Sequence, residues 1–203
     1  MRVLCPETPG AILECMRHLS VSGDYYEFGV FDGHSLQAAY HAARELGYSE
    51  MRFWGFDSFC GLPEPTGLDC SPEWRRGLYA CERERVIGNL GQAAVNLNAV
   101  TLVEGFFGVI LPLFSRQVTF PTAALALVDC DLYASAVPVL DFLTPLLKTG
   151  SVLMFDDYNC FEKDDQRGER RAFREWLARN PHWQAAPLSA WSWHGQAFVL
   201  NPA

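Results

Sequence analysis

The chain lacks several features that would point to whole classes of function. No apolar run approaches the 18 or more residues that a membrane span needs. The opening Met1–Glu7 has a charge but no apolar core or small-residue cleavage site, so no secretory leader is expected. No CxxC occurs among the seven cysteines, at 5, 15, 60, 70, 81, 130 and 160, and their spacing forms no metal ribbon. Reduced thiols in a cytoplasm fit an odd number without a framework. The five histidines show no metal spacing either. Basic residues are short: 16 Lys and Arg face 24 Asp and Glu, a net charge of −8, which disfavours nucleic-acid backbones and anionic membranes as partners.

What is present is apolar. Hydrophobic residues make up 49% of 203, enough for a sizeable core and too many for a disordered chain. The length suits a single domain over 1–203. Apolar runs of strand length alternate with segments of helical period, the pattern of an α/β sheet with helices on both faces. Strands are expected at Tyr25–Val30, Arg52–Phe56, Val100–Val103, Ala123–Val128, Ser151–Phe155 and Ala197–Leu200. Helices are expected over about 35–46, through Val139–Leu147, and over about 167–179. The wholly apolar fourth strand should be central and covered on both faces. Residues 58–81 break this rhythm with Pro63, Pro65 and Pro72. Their Phe59, Leu62, Leu68, Trp74, Leu78 and Tyr79 argue for an ordered lid.

In open α/β sheets ligands bind beyond the carboxyl ends of the strands. Acids crowd that edge here: Glu27 and Asp32 around the first turn, Asp57 after the second strand, Asp129 and Asp131 after the fourth, Asp156 and Asp157 after the fifth. In the first turn, Glu27-Phe28-Gly29-Val30-Phe31-Asp32-Gly33-His34-Ser35, two glycines allow close backbone approach and the helix start offers free N–H groups. The spacing departs from the dinucleotide G-x-G-x-x-G and is closer to that of S-adenosylmethionine (SAM) enzymes. A tight structural turn explains the same glycines. Asp57 stands where a carboxylate accepts from ribose hydroxyls, in SAM as in NAD, and a turn-capping Asp is the alternative.

Asp129 and Asp131, two apart in near-extended chain, should point the same way with Cα atoms about 6–7 Å apart. Asp156 and Asp157 can converge only if the backbone turns out of the sheet. Carboxylates gathered without Lys or Arg call for protonation or a cation, and an oxygen-rich site suits Mg²⁺, Ca²⁺ or Mn²⁺. Solvated strand-end acids are the other reading. Flanking acids should raise the Cys130 thiol pKa, which argues against a nucleophile there. His34 and His194 read as packing or surface residues.

Five stretches together resemble the macrocin O-methyltransferase family of class I SAM-dependent methyltransferases. They are Tyr26–Ser35, Phe56–Pro65, Val103–Phe107 with Leu111-Pro112 behind it, Val128–Ser135, and Phe155–Tyr158. The resemblance implies a Rossmann-like sheet of about seven strands, mostly parallel, with an antiparallel last hairpin. It makes Asp129, Asp156 and Asp157 ligands of Mg²⁺ or another divalent cation, and Asp131 the general base. Glu27, Gly29 and Ser35 would hold the methionine end of SAM, Asp57 its ribose, and the stretch from Gly105 and Phe106 its adenine. Phe31, Gly33, Ser58 and Asp129 complete the expected cofactor contacts. The implied activity is O-methylation of a small-molecule acceptor, a sugar moiety or vicinal diol of a natural product, with a homodimer as the assembly. A nicotinamide oxidoreductase, or a SAM-binding protein without turnover, are the competing readings. Departures from the family pattern are Thr149-Gly150 for Gly-Gly, and Ala134 and Cys60 in place of acids.

Overall fold

In the computed structural model, residues 7–203 are described; residues 1–6 of the opening stretch read for a leader, Cys5 among them, lie outside them. Seven strands form one sheet: β1 Asp24–Phe28, β2 Phe53–Asp57, β3 Val100–Glu104, β4 Ala123–Val128, β5 Val152–Phe155, β6 Trp183–Trp191 and β7 Gly195–Pro202. Their order is β3-β2-β1-β4-β5-β7-β6. β1 to β5 pair in parallel, while β7 runs antiparallel to both β5 and β6. This is the mostly parallel sheet with an antiparallel end that the resemblance implies.

Period-two alternation separates the two faces of the sheet. Tyr25, Phe53, Leu125, Leu127 and Met154 enter one core; Tyr26, Phe56, Ala126, Val128 and Phe155 enter the other. All six residues of β4 are buried, as expected of a strand paired between β1 and β5. Each fully buried large side chain there contributes about 1.5–3 kcal/mol.

Helices cover both faces: α1 Thr8–Arg17, α2 His34–Glu45, α3 Arg83–Gln92, α4 Phe107–Gln117, α5 Tyr133–Leu143 and α6 Gly168–Arg179. Leu36, Ala39 and Ala43 form the buried stripe of α2, and Phe173 and Trp176 that of α6. α5 gives way at Thr144–Leu146 to a tighter turn beginning at Thr144-Pro145, so the helix expected through Leu147 ends earlier. β1 stops at Phe28, two residues before the expected Val30, because Gly29 turns the chain at φ 101°.

In residues 58–81 the one helical element is the short 3₁₀ turn Gly67–Asp69, with hydrogen-bonded turns closing at Trp74 and Leu78. Leu62 and Leu78 pair their backbones (Leu62 N–H to Leu78 O, 2.9 Å), which closes the segment on itself. Phe59 is buried, but the Leu68 side chain is 56% exposed. Among the described residues, all six cysteines are free thiols and no helix is long and apolar enough to cross a membrane.

Candidate active site

The parallel strands end on one edge, and a cavity of about 300 Å³ opens there. Of the residues singled out in the sequence, Gly29, Phe31 and Ser35 line it from the first turn. Asp57 and Ser58 line it at the end of β2, and Gly105 and Phe106 just after β3. Asp129, Asp131 and Asp156 complete the lining. Glu27, Gly33 and Asp157 stand behind this lining.

The first turn is fixed by β2. Asp57 Oδ2 accepts the backbone N–H groups of Val30 (2.8 Å) and Phe31 (3.0 Å), and its Oδ1 accepts that of Phe59 (2.7 Å). Burial raises the Asp57 pKa against those three donors. The turn-capping role and a ligand-facing position therefore belong to the same side chain. Gly33, at φ 87°, starts α2 without lining the cavity. Ser35 bridges inward, its hydroxyl donating to Glu27 Oε1 at 2.7 Å, while Tyr25 OH donates to Glu27 Oε2 at 2.5 Å. Complete burial pushes the Glu27 carboxyl up to about 8, although both hydroxyl donors oppose the shift.

After β4 the chain is not extended. Leu132 N–H donates to Cys130 O (2.6 Å) across Asp131, which sits at φ 61°, so Asp131 is the centre of a γ-turn. The expected extended arrangement of Asp129 and Asp131 is thereby replaced by a reversal, because α5 must begin at Tyr133. Such a left-handed residue costs of order 1–3 kcal/mol unless its surroundings over-determine it. Two buried carboxylates, neither identified from the sequence, hold the turn. Glu169 Oε1 accepts Cys130 N–H (3.1 Å), and Asp69 accepts Tyr133 N–H (3.0 Å) and Ala134 N–H (3.1 Å).

After β5 the backbone does turn out of the sheet, and Asp156 and Asp157 converge. With His194 they form a group whose ligand atoms lie within 4.8 Å of one another. Asp129 shares the cavity wall with Asp156 but stands outside that group. His194, expected as a packing or surface residue, is the third member. Its Nδ1 contacts the Asp156 carbonyl oxygen at 2.5 Å. Asp156 Oδ1 accepts from Thr8 Oγ1 (3.1 Å) and Trp191 Nε1 (3.0 Å), which orients the carboxylate. Asp157 is set by its backbone, whose N–H donates to Glu169 Oε2 at 3.0 Å.

Glu169 thus clamps both acid-bearing loops from the first turn of α6. Its own pKa is pushed well up, first by burial and then by Asp157. The Cys130 thiol is raised well above its ordinary value, as expected, but burial is the leading cause and the neighbouring acids come second. Tyr79 lines the cavity and meets Phe31 edge-on with ring centres 6.1 Å apart. Trp74 packs behind it, between Tyr79 and Phe161.

Similar proteins carry the same frame. The structure superposes on the O-methyltransferase NovP with a TM-score of 0.77 at 22% identity, covering 95% of this chain and 79% of that one. It superposes on CalS11, a calicheamicin methyltransferase, with a TM-score of 0.74 at 25% identity, covering 94% and 77%. A Streptomyces olivaceus relative is 33% identical over 147 residues, 68% of this chain: 8-demethyl-8-(2,3-dimethoxy-alpha-L-rhamnosyl)-tetracenomycin-C 4'-O-methyltransferase. This chain spans about half (54%) of that relative's length. The family model for macrocin O-methyltransferase (TylF) matches residues 10–195, from α1 to the start of β7, including every acid of the site described above. With that match spanning the sheet, the cavity and both acid-bearing loops, the chain belongs to the macrocin O-methyltransferase family.

Proposed function

We propose that this chain methylates a hydroxyl of a glycosylated small molecule, using SAM and a divalent cation, with 58–81 as a lid on one catalytic domain. One observation carries the reading. The adenosine-type features, Gly29 and Asp57, and the acids Asp129, Asp131 and Asp156 line a single cavity.

The residues fit both groups. Gly29 lines the cavity with its Cβ side packed on the Asp129 backbone, Asp57 lines it from the end of β2, and Ser35 lines it with the buried Glu27 carboxyl bonded behind it. Asp156, Asp157 and His194 present ligand atoms within 4.8 Å, and Asp129 lies on the adjoining wall. We assign Asp129, Asp156 and Asp157 to the cation. SAM supplies an electrophilic methyl on a sulfonium, and a bound divalent cation lowers the pKa of a hydroxyl it contacts.

The remaining work falls to the protein. Asp131 takes the proton from the acceptor hydroxyl, a role worth typically about 10²–10⁴-fold. Gly29, Phe31 and Phe106 wall the cofactor side, and Tyr79 the lid side. Holding both partners in line contributes up to roughly 7–11 kcal/mol in favourable cases. A deoxysugar diol is the acceptor class we infer, from the rhamnosyl substrate in the name of the 33% identical relative. Hydride transfer to a nicotinamide has no task for the paired acids. Calorimetric titration with SAM and with NAD decides between the two, with binding of SAM alone expected.

A further inference from the structure

We infer that Asp69 is a positioning residue for Asp131: by docking on the start of α5, it ties the lid to the γ-turn that presents the base. The inference rests on the methyl-transfer reading above and extends it.

Asp69 is only 2% exposed, although it lies in the irregular segment beside Leu68, which is 56% exposed. A carboxylate is buried in such a segment only when its charge is met by donors. Here both oxygens are used, Oδ1 by Tyr133 N–H at 3.0 Å and Oδ2 by Ala134 N–H at 3.1 Å. Those are the first two amides of α5, which have no partner within their own helix. The residue preceding them is Leu132, whose side chain has no oxygen to cap with. A carboxylate 64 and 65 positions away takes the place of a local cap, and its charge suits the positive end of the helix.

The γ-turn is therefore held from both sides. Glu169 takes the amide before Asp131, and Asp69 takes the amides after Leu132. The lid is held at the same place a second time. Arg167 donates from Nε to Leu68 O (2.7 Å) and from Nη2 to Cys70 O (3.3 Å), the residues on either side of Asp69. Arg167 and Glu169 stand two positions apart at the start of α6, so one helix end grips the lid and both acid-bearing loops. When the lid lifts, Asp69 leaves the α5 amides and the γ-turn loses one of these two supports.

The test compares the full chain with Asp69→Ala and the isosteric Asp69→Asn. Amide-resolved hydrogen exchange reads Leu132, whose N–H closes the γ-turn, together with Tyr133 and Ala134. Trypsin reads the lid, where Arg75 and Arg76 are exposed. Asp69→Ala should lose protection at all three amides and be cut sooner between the lid arginines. With SAM affinity within about twofold of the parent, kcat should fall by about 10²-fold, the cost of an ångström-scale misplacement. Asp69→Asn keeps one accepting oxygen and should fall between the two, also serving as the folded comparison if the alanine variant is unstable. Full protection at Leu132 in both variants overturns the inference, as does lost protection with an unchanged kcat. If the parent transfers no methyl group, the functional reading fails by itself. Exchange at Leu132 then still decides whether Asp69 holds the turn.

Discussion

Gly29 faces the backbone of Asp129 so closely that a Cβ at position 29 would lie 1.8 Å from the Asp129 carbonyl oxygen. The turn after β1 and the loop after β4 are packed backbone to backbone, which brings the adenosine-type turn and the first of the acids into one wall. Gly29→Ala must shift one of them, and must also adopt φ 101°. It should destabilise the protein by about 1–3 kcal/mol, lowering Tm by roughly 2–4 °C per kcal/mol, and should weaken SAM binding. Scanning calorimetry and titration of the variant check both effects.

Trp191 donates its indole N–H to Asp156 Oδ1 from the end of β6. Trp191→Phe removes that donor and loosens the carboxylate. Divalent-cation affinity should drop about 10–100-fold, while SAM affinity holds, in parallel calorimetric titrations with Mg²⁺ and SAM.

Glu27 titrates at about 8 in the free protein rather than at the ordinary 4.5. At pH 7 it is mostly protonated, and a cationic ligand in the cavity favours its ionised form. SAM affinity should rise with pH up to about 8 and then level off, with proton release at pH 7 visible as a buffer-dependent enthalpy. Stability follows the opposite course. The raised pKa makes Glu27's contribution complete below about 4.5, and it is lost as pH rises through about 8. Glu27→Gln should gain stability relative to the parent over that interval and flatten the pH dependence of SAM binding.

Asp131→Asn keeps the shape of the γ-turn residue and removes its basicity. It should retain SAM and cation binding while kcat falls about 10²–10⁴-fold, as single-turnover kinetics at saturating SAM would read.

The parts of this fold that show in the sequence are those whose pattern is set locally. β4 reads as a central strand because its six apolar residues are covered on both faces, and the acids at strand ends can be counted from the residue order alone. α1, α3, α4 and β6 carry no comparable mark. α4 runs through Pro112 and exposes Val109 and Leu113, so its apolar stretch does not show a clean helical stripe. β6 is an edge strand with Pro187 beside a register shift, tolerable only where no second neighbour needs its N–H. The site divides in the same way. Asp57, Asp129 and Asp156 stand out by position. Glu169 lies in a charge-rich helix and Asp69 in a proline-rich loop, and only tertiary burial turns either into a support for the backbone. The reversal at Asp131 is hidden too, since an Asp-x-Asp spacing says nothing of a turn that distant carboxylates maintain.

The proposed function requires the acids around Asp156 to act on an acceptor beside bound SAM. Isotope-labelled methyl transfer from SAM to a rhamnoside, run with chelator and again after Mg²⁺ is restored, tests it most directly. Transfer that stops with chelator and returns with the cation is the predicted result; full transfer in excess chelator, or no SAM binding at all, would contradict it.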